Sequence, residues 1–239
     1  MKSVWISGTS RGLGLELAHQ FLEQGWQVYG IGRSHSIENE AYHANYLNLA
    51  DPQAVLAHRF EILNTTSEVL LIHNAGTLGE IAHLGDYENP QRINEAYQVN
   101  VVAAAILSNT FLQTIKHVGC TSGIIFISSG AARNAYDGWA TYCSSKAGLD
   151  MLARCIAAEN TDVKTFRIFS IAPGVVDTGM QEEIRKAKPN QFSKIERFLT
   201  LKNENKLEKP AEVASKIYRV WEVRNKIKET CIDLRELQD

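Results

Sequence analysis

The sequence predicts a single-domain α/β fold, an open, doubly wound parallel sheet of about seven strands with helices on both faces. Three observations predict it. Short apolar runs alternate with helix-period segments from one end of the chain to the other. No linker, repeat or low-complexity stretch interrupts the alternation. The length, 239 residues, suits one α/β domain with a sizeable core.

Val4-Trp5-Ile6 reads as the first strand, closed by Ser7-Gly8. Leu13, Leu17, Phe21 and Leu22 then recur at helical spacing, and Gly25 ends that helix. Trp26 to Ile31 is a second strand, ended by Gly32-Arg33, and His43 to Leu47 a third. Asp51-Pro52 pairs a capping residue with a first-turn proline, so a helix is expected from there to about Leu63. Val69 to Ile72 is continuously apolar, as a strand covered on both faces must be. Pro90 opens a helix whose apolar stretch Val101–Leu107 runs on through Phe111 and Leu112. Ile124 to Ile127 is a strand, and a helix through Lys146, Leu149, Leu152 and Ile156 follows it. Lys164 to Ile171 is the next strand, broken by Pro173-Gly174. Helical segments at 179–188, 190–203 and Pro210–Val223 precede a short last strand, Glu229 to Leu234. In such a Rossmann-type sheet, ligands sit outside the carboxyl ends of the strands, where strand order reverses.

A net charge of -2 gives no electrostatic reason to expect nucleic acid or an anionic membrane as partner. No apolar run reaches the roughly 18 residues that span a bilayer. The first strand begins at once, leaving no room for a signal peptide, so a cytoplasmic protein is expected. Cys120, Cys143, Cys155 and Cys231 are widely spaced, with no C-x-x-C pair and no His at ligand spacing. They read as reduced thiols, and no metal site is expected.

The loop from Ile6 through Ser7, Gly8, Thr9, Ser10, Arg11, Gly12, Leu13 and Gly14 leaves a strand and opens a helix. Gly8 permits a tight turn, Gly12 lets backbone approach a phosphate, and Gly14 lets the helix pack closely. Free N–H groups at the helix start then face a pyrophosphate. Arg33 stands just past the second strand, where a carboxylate would bind the ribose 2'-hydroxyl of NAD, and Arg11 lies in the glycine loop. Two guanidinium groups suit a 2'-phosphate, so the expected cofactor is NADP(H). A solvated surface arginine is the alternative for Arg33.

Tyr142 and Lys146 share one helical face, one turn apart. A free tyrosine, with a pKa of about 10, is a poor acid near neutrality. A nearby ammonium favours the phenolate and is expected to bring that pKa toward the working pH. A hydroxyl from Ser129 would hold a substrate oxygen while Tyr142 donates its proton. By itself the pair also fits an amphipathic helix with a snorkelling lysine.

Taken with the rest of the chain, these residues resemble the short-chain dehydrogenase/reductase family along essentially the full length. The family's glycine motif matches Gly8, Gly12 and Gly14, with Ser7 where threonine is usual. Its Asn-Asn-Ala-Gly motif appears as His73-Asn74-Ala75-Gly76, its serine as Ser129 rather than Ser128, and its Tyr-x-x-x-Lys as Tyr142 and Lys146. The helix asparagine is Asn100, and Pro-Gly-x-x-x-Thr runs from Pro173 and Gly174 to Thr178. The resemblance implies a catalytic tetrad of Asn100, Ser129, Tyr142 and Lys146. Tyr142 is then the general acid, and Lys146 lowers its pKa and binds the nicotinamide ribose. Asn100 would hold a helix distortion and a proton-relaying water. Asn74 to Gly76 would line the adenosine and ribose side, with Thr178 and the backbone near Pro173, Gly174 and Val176 at the carboxamide. The family often places an Asp against the adenine after the third strand, whereas this chain has Asn48 beside Leu49. The family's dimers imply a homodimer through the helices of Asn100 and Tyr142.

Within the family the chain resembles the sepiapterin reductases and the bacterial benzil reductases. The stretches that carry this are Gly138 to Cys143, Ala147 to Leu152, Val176 to Gln181, Ile195 to Phe198 and Cys231 to Leu234. The implied reaction is NADPH-dependent reduction of one carbonyl of a 1,2-dicarbonyl compound, a benzil-like diketone or a sepiapterin-like pterin side chain. Trp139 and Met180 would flank an apolar pocket mouth that also includes Gly174, with a packed core aromatic as the alternative for Trp139. Asp233 matches the aspartate that anchors the pterin ring, or serves the fold alone. Two further readings stay open: an NADP-dependent alcohol dehydrogenase of another small metabolite, and a non-catalytic NADPH-sensing regulator.

Overall fold

The computed structural model of the protein describes residues 1–161, 163 and 165–237. Its strands are β1 (Lys2–Ser7), β2 (Gln27–Gly32), β3 (Tyr42–Tyr46), β4 (Glu68–His73), β5 (Thr121–Ile127), β6 (Phe166–Ala172) and β7 (Cys231–Asp233). Its α-helices are α1 (Gly12–Glu23), α2 (Pro52–Ala57), α3 (Gln91–Tyr97), α4 (Ala103–Ile115), α5 (Ala140–Glu159), α6 (Gly179–Arg185), α7 (Ile195–Asn203) and α8 (Pro210–Glu222). The strands form one seven-stranded sheet in the order β3-β2-β1-β4-β5-β6-β7, every pairing parallel. This is the expected doubly wound architecture.

Alternation along each strand feeds two apolar layers. Val4, Ile6, Leu70, Ile72, Ile125 and Phe169 face Leu17, Phe21, Ile217 and Trp221 of α1 and α8. Trp5, Leu71, Ile124, Phe126 and Ile168 face Val55, Leu107, Phe111, Leu149 and Ile156 of α2, α4 and α5. Each such side chain, fully buried, contributes roughly 1.5–3 kcal/mol. Because all the strands are parallel, the loops after Ser7, His73, Ile127 and Ala172 leave the same edge. Strand order reverses between β1 and β4, so that edge holds the crevice.

Several boundaries depart from the sequence-based expectation. Asp51 caps α2, accepting from Gln53 N at 2.9 Å and Ala54 N at 3.1 Å, but the helix stops at Ala57 rather than near Leu63. His58 turns extended (φ -64°, ψ 140°), which sends Phe60 between Trp5 (5.1 Å between centroids) and Phe111 (5.4 Å). Tertiary burial of one ring overrides the helical pattern. The segments expected at 179–188 and 190–203 shorten to α6 and α7, because Pro189 has no N–H and the Gln191 side chain accepts from Lys188 N instead. The last strand spans only Cys231–Asp233. β6 starts at Phe166, and Lys164, where that strand was expected to begin, lies outside the described residues.

The helix opened by Pro90 is not continuous. A π-helical turn, Gln98–Val102, separates α3 from α4, and Asn100 sits within it. Such turns widen a helix by one residue and recur at functional sites.

Candidate active site

The glycine loop is held by contacts across the crevice. Ser7 Oγ accepts from the backbone N–H of both Asn74 and Ala75 at 3.0 Å. The Asn74 amide donates to Ser7 O (3.0 Å) and Gly8 O (3.1 Å). Asn74 therefore braces the loop from beneath, with its donors already used, rather than offering them to a ligand. Gly8 and Gly12 have positive φ (+76° and +59°), and a Cβ on Gly14 would collide with Gly8 O and the Asn74 amide. Ile6 and Leu13 are buried behind the loop, and Ser10 is half-exposed on it. Arg11 precedes α1 with extended backbone and makes no side-chain cap. Across from the loop stands Thr178, whose Cγ2 would lie 3.2 Å from a Cβ on Gly12.

A second brace was not legible in the sequence. Tyr42 Oη lies 2.8 Å from Thr9 Oγ1 and 2.6 Å from His35 Nδ1, tying the glycine loop to the segment after β2. Arg33, on that segment, is exposed and has no ion pair or hydrogen bond among the described residues. Asn48 is exposed and its carbonyl oxygen accepts from Ala50 N at 3.2 Å, while Leu49 is buried beside it. His73 turns away from the crevice: it lies 2.9 Å from Ser108 Oγ, stacks on Phe126, and burial pushes its pKa down to about 3.

At the other end of the crevice the expected tetrad comes together. Lys146 is 4% exposed, and its Nζ donates to Ile127 O at 2.8 Å. The same Nζ stands 5.9 Å from the centre of the Tyr142 ring. Asn100 accepts from Thr77 N (2.9 Å) and donates to Thr77 O (2.9 Å) and Ser145 Oγ (2.9 Å). It thus clamps the loop after β4 to α5. A Cβ on Gly76 would sit 3.3 Å from Asn100 Oδ1 and 3.4 Å from Lys146 Nζ, so glycine keeps the crevice floor open beside the amine. Ser128 points inward, its Oγ donating to Asp150 Oδ1 at 2.5 Å, and Ser170 binds the same oxygen at 2.6 Å. The adjacent Ser129 is extended and faces the phenol of Tyr142, whose acidity its hydroxyl favours.

The electrostatics differ from the expectation. Burial pushes the Tyr142 phenol up to about 12, outweighing the opposing pull of Ser129. Burial likewise brings Lys146 down to about 8, against the opposing charge of Asp150. Loss of water therefore dominates over the amine's influence on the phenol.

Met180 lies at the site as expected, Tyr142 Oη donating to its Sδ at 3.8 Å. Trp139 takes the packed alternative. It is 5% exposed, stacked on Phe192 at 4.6 Å and set edge-on to Tyr142 at 5.6 Å, so it backs the Tyr142 ring within a third apolar cluster. Gly174 (φ +84°) follows Pro173 after β6, and Val176 is buried and bridged to Glu208. Asp233, at the end of β7, is 6% exposed and paired with Arg235.

The geometry fits a dinucleotide. Gly8 and Gly12 at positive φ, Gly14 packed on the Asn74 amide, and Gly76 open beside the buried Lys146 amine are residues of the kind that hold a dinucleotide at the ends of β1 and β4. The chain that carries these residues is similar to known proteins. A family model described as short chain dehydrogenase matches residues 2–189. Benzil reductase ((S)-benzoin forming) from Bacillus cereus is 36% identical over 236 residues, 93% of this chain and 94% of that protein. Sepiapterin reductase from Xenopus laevis is 31% identical over 176 residues, 72% of this chain and 60% of that protein. Among solved structures, a short-chain dehydrogenase/reductase from Saccharomyces cerevisiae matches with a TM-score of 0.81 at 20% identity, over 99% of this chain and 97% of that one. A 4-hydroxyisoleucine dehydrogenase complexed with NADH matches with a TM-score of 0.79 at 22% identity, over 98% and 96%. At those identities the structures speak for the fold alone.

The buried amine makes a stability prediction. An unfolded lysine keeps its proton to about pH 10.5, whereas Lys146 in the fold loses it near 8. Between these values the unfolded chain binds more protons, so stability rises with pH, and below 8 the full cost of burying the charge is present. Lys146→Met is expected to be more stable than the parent at pH 7 by about 1–3 kcal/mol, with the difference shrinking from pH 8 toward 10. Urea denaturation at pH 7 and pH 9.5 checks this. A variant that is less stable at pH 7, or whose difference ignores pH, contradicts it.

Proposed function

The chain belongs to the short-chain dehydrogenase family, and on that premise we propose that it is an NADPH-dependent carbonyl reductase acting on 1,2-dicarbonyl compounds. The observation that carries this is the convergence of Ser129, Tyr142 and Lys146 on one point of the crevice. Bound NADPH would supply the hydride to the carbonyl carbon. Gly8, Gly12 and the amides opening α1 would hold its pyrophosphate, Arg11 and Arg33 its 2'-phosphate, and Lys146 and Gly76 the nicotinamide ribose.

The remaining work falls to the side chains. The Ser129 hydroxyl donates to the carbonyl oxygen and fixes it beside Tyr142. At neutral pH the buried phenol is protonated, the state a donor needs, and its proton goes to the oxygen as negative charge develops there. A carbonyl oxygen is a better acceptor than the thioether of Met180, which the hydroxyl otherwise faces at 3.8 Å. Lys146, charged below about pH 8, stabilises the phenolate that is left. The Asn100 clamp acts through position, holding α5 and the Thr77 loop in register. Similarity to the Bacillus cereus benzil reductase over nearly the whole of both chains favours a diketone. The same proposal includes a homodimer through the helices of Asn100 and Tyr142, supported by exposed Val102 in the π-helical turn that leads into α4 and exposed Met151 on α5.

Two measurements test the assignment. Tyr142→Phe is expected to lose about 100-fold or more of its turnover of benzil while keeping NADPH affinity, read by cofactor fluorescence. Retained turnover removes Tyr142 as the acid. Arg33→Asp is expected to lower the preference for NADPH over NADH by about tenfold or more in kcat/KM. An unchanged preference removes Arg33 from the 2'-phosphate site.

A further inference from the structure

We infer that Arg235 is a specificity-determining residue that hydrogen-bonds the second, non-reacting carbonyl of the substrate. The inference rests on the carbonyl reductase reading above and narrows its substrate class. Arg235 lies just beyond β7, and its guanidinium forks onto Asp233: Nε to Oδ1 at 2.8 Å and Nη2 to Oδ2 at 2.5 Å. Its backbone N–H also reaches Oδ1, at 3.1 Å. Both oxygens of Asp233 are therefore occupied. A ring edge of N–H donors, such as a pterin presents, would meet a carboxylate already paired and a cation in front of it.

The guanidinium is placed against the catalytic loops. A Cβ on Gly130, the residue after Ser129, would lie 3.9 Å from Nη2, and one on Gly174 would lie 3.8 Å from Cγ and Cδ. Both positions are glycine, so neither adds a side chain beside the guanidinium. The pairing fixes one edge of the fork and leaves Nη1 without a hydrogen-bond partner among the described residues. The side chain is 53% exposed, while Asp233 beneath it is 6% exposed. This is a donor anchored from below and open above.

Charge decides which acceptor it suits. Arg235 is balanced by Asp233 in direct contact, so the pair is neutral as a unit and presents oriented N–H groups. A neutral carbonyl oxygen gains a charge-assisted hydrogen bond there, whereas a free carboxylate at the same N–H also meets the charge of Asp233. The class is therefore the 1,2-diketone rather than the 2-oxo acid, the simple ketone or the pterin.

The test compares 1-phenylpropane-1,2-dione, propiophenone and phenylglyoxylate with NADPH, in the parent protein and in Arg235→Met. The parent is expected to prefer the dione over both others by at least about tenfold in kcat/KM. In Arg235→Met the ratio of dione to propiophenone is expected to fall by about tenfold, mainly through KM, with partial recovery in Arg235→Lys. A purely structural arginine lowers both ketones together and leaves the ratio standing, which overturns the inference. A preference for phenylglyoxylate that is lost in Arg235→Met overturns the neutral acceptor. Should Arg235→Met not fold because Asp233 is left unpaired, Asp233→Asn/Arg235→Met removes the buried charge and carries the same comparison. Reduction of propiophenone without preference for the dione sinks the role of Arg235 alone. Reduction of none of the three sinks the carbonyl reductase reading with it.

Discussion

One amine taken out of water governs the arrangement of this site. Lys146 is buried, its Nζ bound to the Ile127 carbonyl at the end of β5. A buried ammonium is costly unless its surroundings satisfy it. Here the satisfying groups also order the residues around it. Asp150, one turn along α5, supplies the opposing charge that resists the loss of the proton, and it draws Ser128 and Ser170 inward. With Ser128 committed, Ser129 is left at the crevice. Gly76 leaves room beside the amine, and Asn100, in its π-helical turn, keeps the Thr77 loop against α5.

The other end of the crevice depends on a different device. Parallel strands β1 and β4 deliver Ser7 and Asn74 to the same edge, and their cross-bonding fixes the glycine loop before any ligand arrives. Tyr42, reaching from β3 across β2 to Thr9, adds a second restraint. A loop held this way needs little ordering on binding, which favours affinity.

The central strands were legible because Val69 to Ile72 of β4 and Ile124 to Ile127 of β5 are buried throughout and read as continuous apolar runs. The grouping of Ser129, Tyr142 and Lys146 was legible from spacing: Tyr142 and Lys146 one turn apart, Ser129 at the mouth of β5. What escaped depends on contacts distant in sequence. The end of α2 is set by Phe60 finding Trp5 and Phe111, which no local pattern encodes. Asn74 matches a motif, yet its donors face the protein rather than a ligand. The direction of the Tyr142 shift was misjudged because helical spacing gives the neighbouring amine but not the depth of burial. Trp139 could have stood at the mouth or in the packing, and only the position of Phe192 decided it. The fork from Arg235 onto Asp233 lay in plain view as an i, i+2 pair, but nothing local placed it beside Gly130 and Gly174.

The central claim, that a phenol beside a buried charged amine delivers the proton, is tested most directly by the pH–rate profile of diketone reduction with cofactor saturating. The expected profile is level below about pH 8 and falls by about tenfold per unit above it, as Lys146 loses its proton while Tyr142 keeps its own. A rate that stays level to pH 10 contradicts the claim.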